Sequence, residues 1–207
     1  MVTENNDDWL RVSCAALCRI PQAGRYLLVL NHERRQRGEY VLTPLGGALA
    51  FTDVAPLLAL GARLEDPASP DLRLYLPGSV LPRFRAWFAS GHGRECSPFR
   101  ELHEELVTET RALPALSPDD MAVIALRTVE RRESTTRFGA GGPMTHYFLE
   151  LYEVRFRTDA LYRLLHVPTP DSGLVWLTQA QIASGTWRMA VDGQLRDVSV
   201  RATVLFE

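Results

Sequence analysis

Residues 97–113 read SPFRELHEELVTETRAL, and the spacing of their side chains sets how the rest of the chain is understood. Ser97 suits a helix cap and Pro98 the first helical position. At 3.6 residues per turn, Phe99, Leu102 and Leu106 share one face, while Glu101, Glu104 and Glu105 share another. One face can dock on a sheet while three carboxylates converge on the other. Arg100 can pair with Glu104 one turn on. Close carboxylates raise each other's pKa unless a cation sits among them. Hard divalent ions such as Mg²⁺ or Mn²⁺ take oxygen ligands of this kind. A solvated acidic face on an amphipathic helix is the plainer alternative. With no glycine to stop it, the helix is expected to run on towards Leu113.

Upstream, RVSCAALCRI (11–20) suits a buried strand, PQAG a turn, and YLLVL (26–30) a second strand. NHERRQRGE (31–39) has no apolar period and reads as a loop carrying Arg34, Arg35 and Arg37. YVLTPLGGALAF (40–51) reads as a strand ending on Gly46-Gly47. From about 52 to 95 the pattern changes: a short helix in VAPLLALGARL, a Pro/Asp turn cluster, a strand in LRLYLP, and a helix in VLPRFRAWFASG stopped by Gly91.

Downstream, MAVIALRTVERRE (121–133) and THYFLELYEVRF (145–156) read as long strands around a mobile Gly-rich loop, STTRFGAGGPM (134–144). TDALYRLL suits a short helix. SGLVWLTQAQIASG (172–185) reads as a strand turning into a helix capped by Thr178. VSVRATVLF (198–206) alternates as a last strand. Residues 1–8 read as a polar tail.

Composition sets bounds. A chain of 207 residues with 46% hydrophobic and 23% charged residues fits one globular domain with an insertion. A net charge of -2 supplies no field for non-specific nucleic-acid binding. The acidic start MVTENNDDW is not a signal peptide, and no apolar stretch is long enough to span a bilayer. There is no lysine, so all 23 basic residues are arginine, each a planar fork suited to phosphate. Cys14, Cys18 and Cys96 form no CxxC pair and point to a reduced cytoplasmic protein, with Cys14 and Cys18 as core residues.

The string Arg100-Glu101-Leu102-His103-Glu104-Glu105 resembles the second half of the Nudix box, G-x5-E-x7-R-E-U-x-E-E-x-G-U with U aliphatic. The Gly46-Gly47 pair at a strand end and the aromatic strand leading into a capped helix, VWLTQAQI (175–182), are similar to that family too. The resemblance spans roughly Val12 to Gly185. It implies an α+β fold, a Nudix-like α/β/α sandwich with a mixed β-sheet, filling residues 1–207 as a single domain. The departures are specific. Arg100 follows Gly47 by 53 positions, against 14 in the family pattern, so an insertion of about 40 residues precedes the helix. The family's glutamate eight positions before the arginine falls on His92, with Glu95 the nearest acid, and its glycine near the helix end falls on Val107. An insertion at that place resembles the SMODS-associated Nudix branch, which occurs beside bacterial nucleotide-second-messenger synthetases in anti-phage systems.

The resemblance implies a cytoplasmic Mg²⁺- or Mn²⁺-dependent hydrolase cleaving a phosphoanhydride in a nucleoside diphosphate-linked or other nucleotide substrate. Glu101, Glu104 and Glu105 would hold metal, and Glu104 and Glu105 would be catalytic, one of them taking a proton from water. Arg100 would orient the cluster by ion pairing. Asp171 and Glu130, with Glu133 beside it, are candidates for an additional acid. Gly46, Gly47 and Arg137 are candidates for substrate binding, as are Arg34, Arg35, Arg37, Arg131 and Arg132 for phosphate, and Phe138 and Tyr147 for stacking on a base. His92, His103, His146 and His166 show no metal spacing and read as structural or surface residues. Two further readings stay open: a non-catalytic Nudix-fold module that senses a nucleotide, and an interaction domain whose insertion and last strand form a homodimer surface.

Overall fold

The computed structural model describes residues 9–135, 144–166 and 172–207. Its strands are β1 (Trp9–Arg19), β2 (Pro21–Gln22), β3 (Arg25–Leu30), β4 (Val41–Ala48), β5 (Arg63–Leu64), β6 (Arg73–Pro77), β7 (Met121–Ser134), β8 (Met144–Phe156), β9 (Leu174–Thr178), β10 (Thr186–Val191) and β11 (Gln194–Val200). Its α-helices are α1 (His32–Gln36), α2 (Ala55–Ala59), α3 (Leu81–Ser90), α4 (Phe99–His103), α5 (Asp159–His166) and α6 (Gln179–Ala183). The fold is α+β with a mixed sheet, as expected. The residues cluster into two compact units. A larger one is built from residues 16–47, 97–127 and 151–207, and a smaller one from the first part of β1, residues 48–96 and residues 128–150.

In the larger unit, β3 pairs antiparallel with β4 and with β9, setting Leu28 against Pro44 and Leu27 against Trp176. β11 joins β4 in parallel, Val200 beside Leu42, and β10 pairs antiparallel with β11. Leu27, Leu28, Leu42, Leu45, Leu102, Leu106 and Leu177 are fully buried in this unit. Two of them belong to the acidic helix, so its leucine stripe is core and its glutamate stripe is left to other partners. Thr178 caps α6 in a reciprocal box: its hydroxyl accepts from Gln181 N–H, and the Gln181 side chain accepts from Thr178 N–H at 2.8 Å.

The smaller unit holds the inserted segment. The start of β1 pairs with β6, from Trp9 opposite Pro77 to Ser13 opposite Arg73, and β5 extends the edge. Phe84 and Phe88 of α3 meet Phe148 with ring centroids 5.2 and 5.3 Å apart. Gly91 ends α3 in the left-handed conformation, φ 69°. Two buried arginines are each gripped by a carboxylate. Arg11 donates to both oxygens of Glu65 at 2.6 and 3.1 Å, and Arg94 to both oxygens of Glu150 at 3.1 and 2.6 Å. Arg94 also donates to the Phe88 and Glu95 carbonyls. Planar forks satisfy such buried pairs where a lysine would leave oxygens unmatched.

Four local expectations are corrected. NHERRQRGE is not a loop throughout: His32–Gln36 is a helical turn, capped by the Asn31 side chain accepting from Arg34 N–H at 3.0 Å. It buries nothing, so no apolar period announced it. Pro98 occupies the cap position of α4, with the Ser97 hydroxyl accepting from Phe99 N–H at 3.2 Å. The helix does not continue as α to Leu113; from Glu104 to Glu109 it is a π-helix. Thr110 N–H and hydroxyl both donate to the Glu105 carbonyl, at 2.9 and 2.6 Å, widening the turn by one residue. VSVRATVLF is strand only to Val200 and closes as a 3₁₀ turn at Thr203–Phe206, while TWRMAV supplies β10, a strand absent from the sequence reading. Most of the Gly-rich loop, residues 136–143, lies outside the described residues.

Breaking one of the buried ion pairs leaves a charge without compensation. Glu150→Gln is expected to cost about 3 kcal/mol through the stranded Arg94, read as a lower midpoint in urea denaturation.

Candidate active site

The site begins at the end of β4. Gly46 has φ 127°, in the region that favours glycine, and a Cβ there would lie 2.0 Å from the Ala16 carbonyl oxygen. Gly47 needs its bare Cα for another reason: a Cβ would lie 1.7 Å from Glu101 Oε2. The Gly46 N–H donates to Glu105 Oε2 at 2.7 Å. The glycine pair therefore seats the first and third glutamates of the helix. That contact with the glutamates is what the structure shows for both glycines.

Arg100 lies 2.5 Å from Glu101 Oε1 and 3.8 Å from Glu104 Oε2, close to Glu101 and at the edge of reach for the pairing expected one turn on. Burial pushes the Glu105 carboxyl well up, and the charges of Glu109, Glu101 and Glu104 push it further against the opposing Gly46 hydrogen bond. Glu109 is raised as well, by burial first and then by Glu104 and Glu33, with His32 opposing. Cys18 is fully buried; its thiol is pushed up by burial and then by Glu105 and Glu101, which keeps it protonated and a core residue. Cys14 is likewise buried in the core.

Beside Glu105 opens a cleft of about 280 Å³. Glu105, Glu109 and Arg111 from the end of the helix, His32 and Arg35 from α1, and Ser172 line it. Among the described residues, no three His, Cys, Asp or Glu side chains are gathered as ligands of one ion. The structure thus brings Glu101 and Glu105 together around the glycine turn and leaves Glu104 exposed, 3.8 Å from Arg100. His32, Glu109 and Arg111 were missed by sequence reasoning. Glu109 had a signal, four residues after Glu105 on the same face, but it falls beyond the end of the motif.

Other candidates are placed as follows. Glu130 is paired with Arg85 at 2.8 Å in the smaller unit, and Glu133 lies 3.6 Å from Arg131. Glu95 accepts the Ala50 N–H at 3.1 Å, and His92 is exposed. Arg34 pairs with Glu39 at 3.2 Å, and Arg35 with Asp192. Asp171, Arg137 and Phe138 lie outside the described residues.

A mixed sheet whose strand-end glycines receive the glutamates of an R-E-L-H-E-E helix defines a Nudix domain. Comparison with family models matches residues 9–206 to the SMODS-associated NUDIX domain, and the chain belongs to that family. No curated protein matches the chain. Among the described residues, no helix is long and apolar enough to cross a membrane.

Two measurements check this geometry. Gly47→Ala forces the Glu101 carboxylate out of its seat, and a melting temperature lower by several degrees is expected. Combining it with Glu101→Ala, which vacates the space, recovers most of that loss relative to Glu101→Ala alone. The second concerns pH. A carboxyl raised on folding costs nothing while protonated in both states, and removes stability as pH rises from the ordinary carboxylate range through its raised value. In chelator, Glu105→Gln is therefore expected to melt a few degrees above the wild type at pH 7.5 and level with it near pH 4.

Proposed function

We propose that the chain is a Mg²⁺- or Mn²⁺-dependent Nudix hydrolase that cleaves a phosphoanhydride bond in a nucleoside diphosphate-linked or other nucleotide substrate. The observation that carries this is the clasp of Gly46-Gly47 on Glu101 and Glu105, which assembles the two ends of the motif across the insertion. The donor set fits a hard divalent cation. It consists of carboxylates, and Glu105 and Glu109 both carry raised pKa values from burial and neighbouring negative charge. Glu101, Glu104 and Glu105 would hold the ion. Bound there, it supplies neutralisation of the diphosphate oxygens and a lowered pKa for water.

The protein groups do the remainder. Gly46 N–H fixes one oxygen of Glu105, which leaves the other to accept a proton from the attacking water. As water adds at phosphorus the anhydride P–O bond breaks, and the leaving phosphate carries the electron pair. Arg100 keeps Glu101 seated by its ion pair. The family setting further suggests a cytoplasmic role in bacterial antiviral defence.

A second reading, a nucleotide-sensing module without chemistry, is favoured by one observation: the front half of the motif is altered, with His92 where the family pattern has its first glutamate. Incubation of the protein and Mg²⁺ with a mixed nucleotide pool, followed by mass spectrometry, separates the two. Depletion of a nucleotide with release of a mononucleotide is expected. The double variant Glu104→Gln, Glu105→Gln is expected to fold and to lose turnover by about 100-fold or more. Tight nucleotide binding with no species consumed would establish the sensor instead.

A further inference from the structure

The first half of β7, Met121–Leu126, reads MAVIAL, a run with no charge, proline or glycine. This half of the strand belongs to the larger unit. Met121 is buried, yet Val123 is 39% and Ile124 53% exposed, and Ala125 is exposed as well. Successive strand residues point to opposite faces of a sheet. Three exposed in a row therefore leave both faces of the strand uncovered here.

The outer edge is open too. Among the described residues β7 pairs with β8 alone. The N–H of Arg157, just past the end of β8, donates to the Asp120 carbonyl at 2.8 Å, so the start of one strand meets the end of the other and the two run antiparallel. Backbone groups in such a ladder alternate sides. With Asp120 turned to β8, Val123 and Ala125 turn their N–H and C=O to the open edge. Proteins usually blunt such an edge with charge, proline or a bulge. The second half of β7 carries Arg127, Glu130, Arg131, Arg132 and Glu133, whereas the apolar half has no such guard.

The ends of the run say what covers it. Asp119 stands just before it and Arg127 just after. Both are exposed, and neither is in an ion pair among the described residues. Opposite charges at opposite ends of one strand are matched by an antiparallel copy of itself and left unmatched by a parallel one. Facing residues of an antiparallel pair share a face, so a symmetric pair sets one residue opposite itself, and a slip of one residue is forbidden. A twofold axis at Val123 sets Val123 against Val123, Ala125 against Met121, and each Arg127 beside the Asp119 of the other copy. Such a contact uses the same edge of both chains and closes at two copies.

We propose that the chain forms a homodimer by antiparallel edge-to-edge pairing of β7, with Val123 at the twofold axis and Arg127 of each copy paired with Asp119 of the other. The pairing needs neither metal nor nucleotide and stands apart from the hydrolase reading.

The test is sedimentation velocity of the full chain over a dilution series. A dimer in equilibrium with monomer is expected. Ile124→Lys puts a charge on the open run and is expected to weaken the dimer about 10-fold or more. Its melting temperature, read where both proteins are monomeric, is expected to match the wild type's, because the side chain already lies in solvent. Asp119→Arg alone and Arg127→Asp alone each set like charges against each other twice per dimer, and each is expected to weaken it by about 10-fold. Both changes in one chain restore the dimer, and the two single variants mixed together form a heterodimer tighter than either homodimer. Misfolding produces neither recovery. A monomer throughout the series, species that grow beyond two copies, or a dimer indifferent to Ile124→Lys overturns the proposal. Weakening by Ile124→Lys without recovery on charge exchange overturns it as well.

Discussion

The hydrogen bond from Gly46 N–H to the Glu105 carboxylate joins positions 59 residues apart and fixes how the helix meets the sheet. It is charge-assisted, and such bonds are roughly twice as strong as neutral ones. Beside it, the absent side chain of Gly47 makes room for Glu101, which Arg100 holds from the other side. The leucine stripe of the same helix is committed to the core, so its rotation about its own axis has no freedom left. Every acid further along it inherits its direction from this seat. The cost is borne by Glu105, whose charge sits half-buried among three other carboxylates. Natural sites often hold such unfavourable charge where chemistry or a counter-ion uses it.

Much of this was legible in the residues. Apolar stripes and turn residues located most of the strands and helices, because Leu102, Leu106 and the β3 residues are patterned by burial itself. The R-E-L-H-E-E string and the glycine pair were readable because each position has one steric or electrostatic job. The elements that escaped are those whose cause is not burial. The α1 turn depends on one Asn31 cap and buries no side chain. The π-helix depends on where the Thr110 hydroxyl places itself, and a helical spacing rule has no term for that. His32 and Arg111 came to the cleft through those two irregular elements, so they escaped with them.

The inserted segment shows a different economy. Its unit packs three phenylalanines around α3 and then admits two arginines to the interior, each with a carboxylate fork. Replacing such pairs by apolar side chains often leaves a protein equally stable or more so, and their presence is weak evidence for stability. What they do impose is direction. A guanidinium with two oxygens to meet tolerates one orientation, where a leucine would accept several.

The π-helical turn has a consequence for how this helix could vary. A π turn carries a surplus residue relative to an α turn. Removing one residue between Leu106 and Glu109 would restore ordinary winding and swing whatever follows by about 100° around the axis. Glu101 and Glu105, anchored upstream on the glycines, would stay where they are. The motif and the wall of the cleft are thus mechanically uncoupled at that turn: a single-codon deletion could redraw ligand preference and leave the acidic seat untouched.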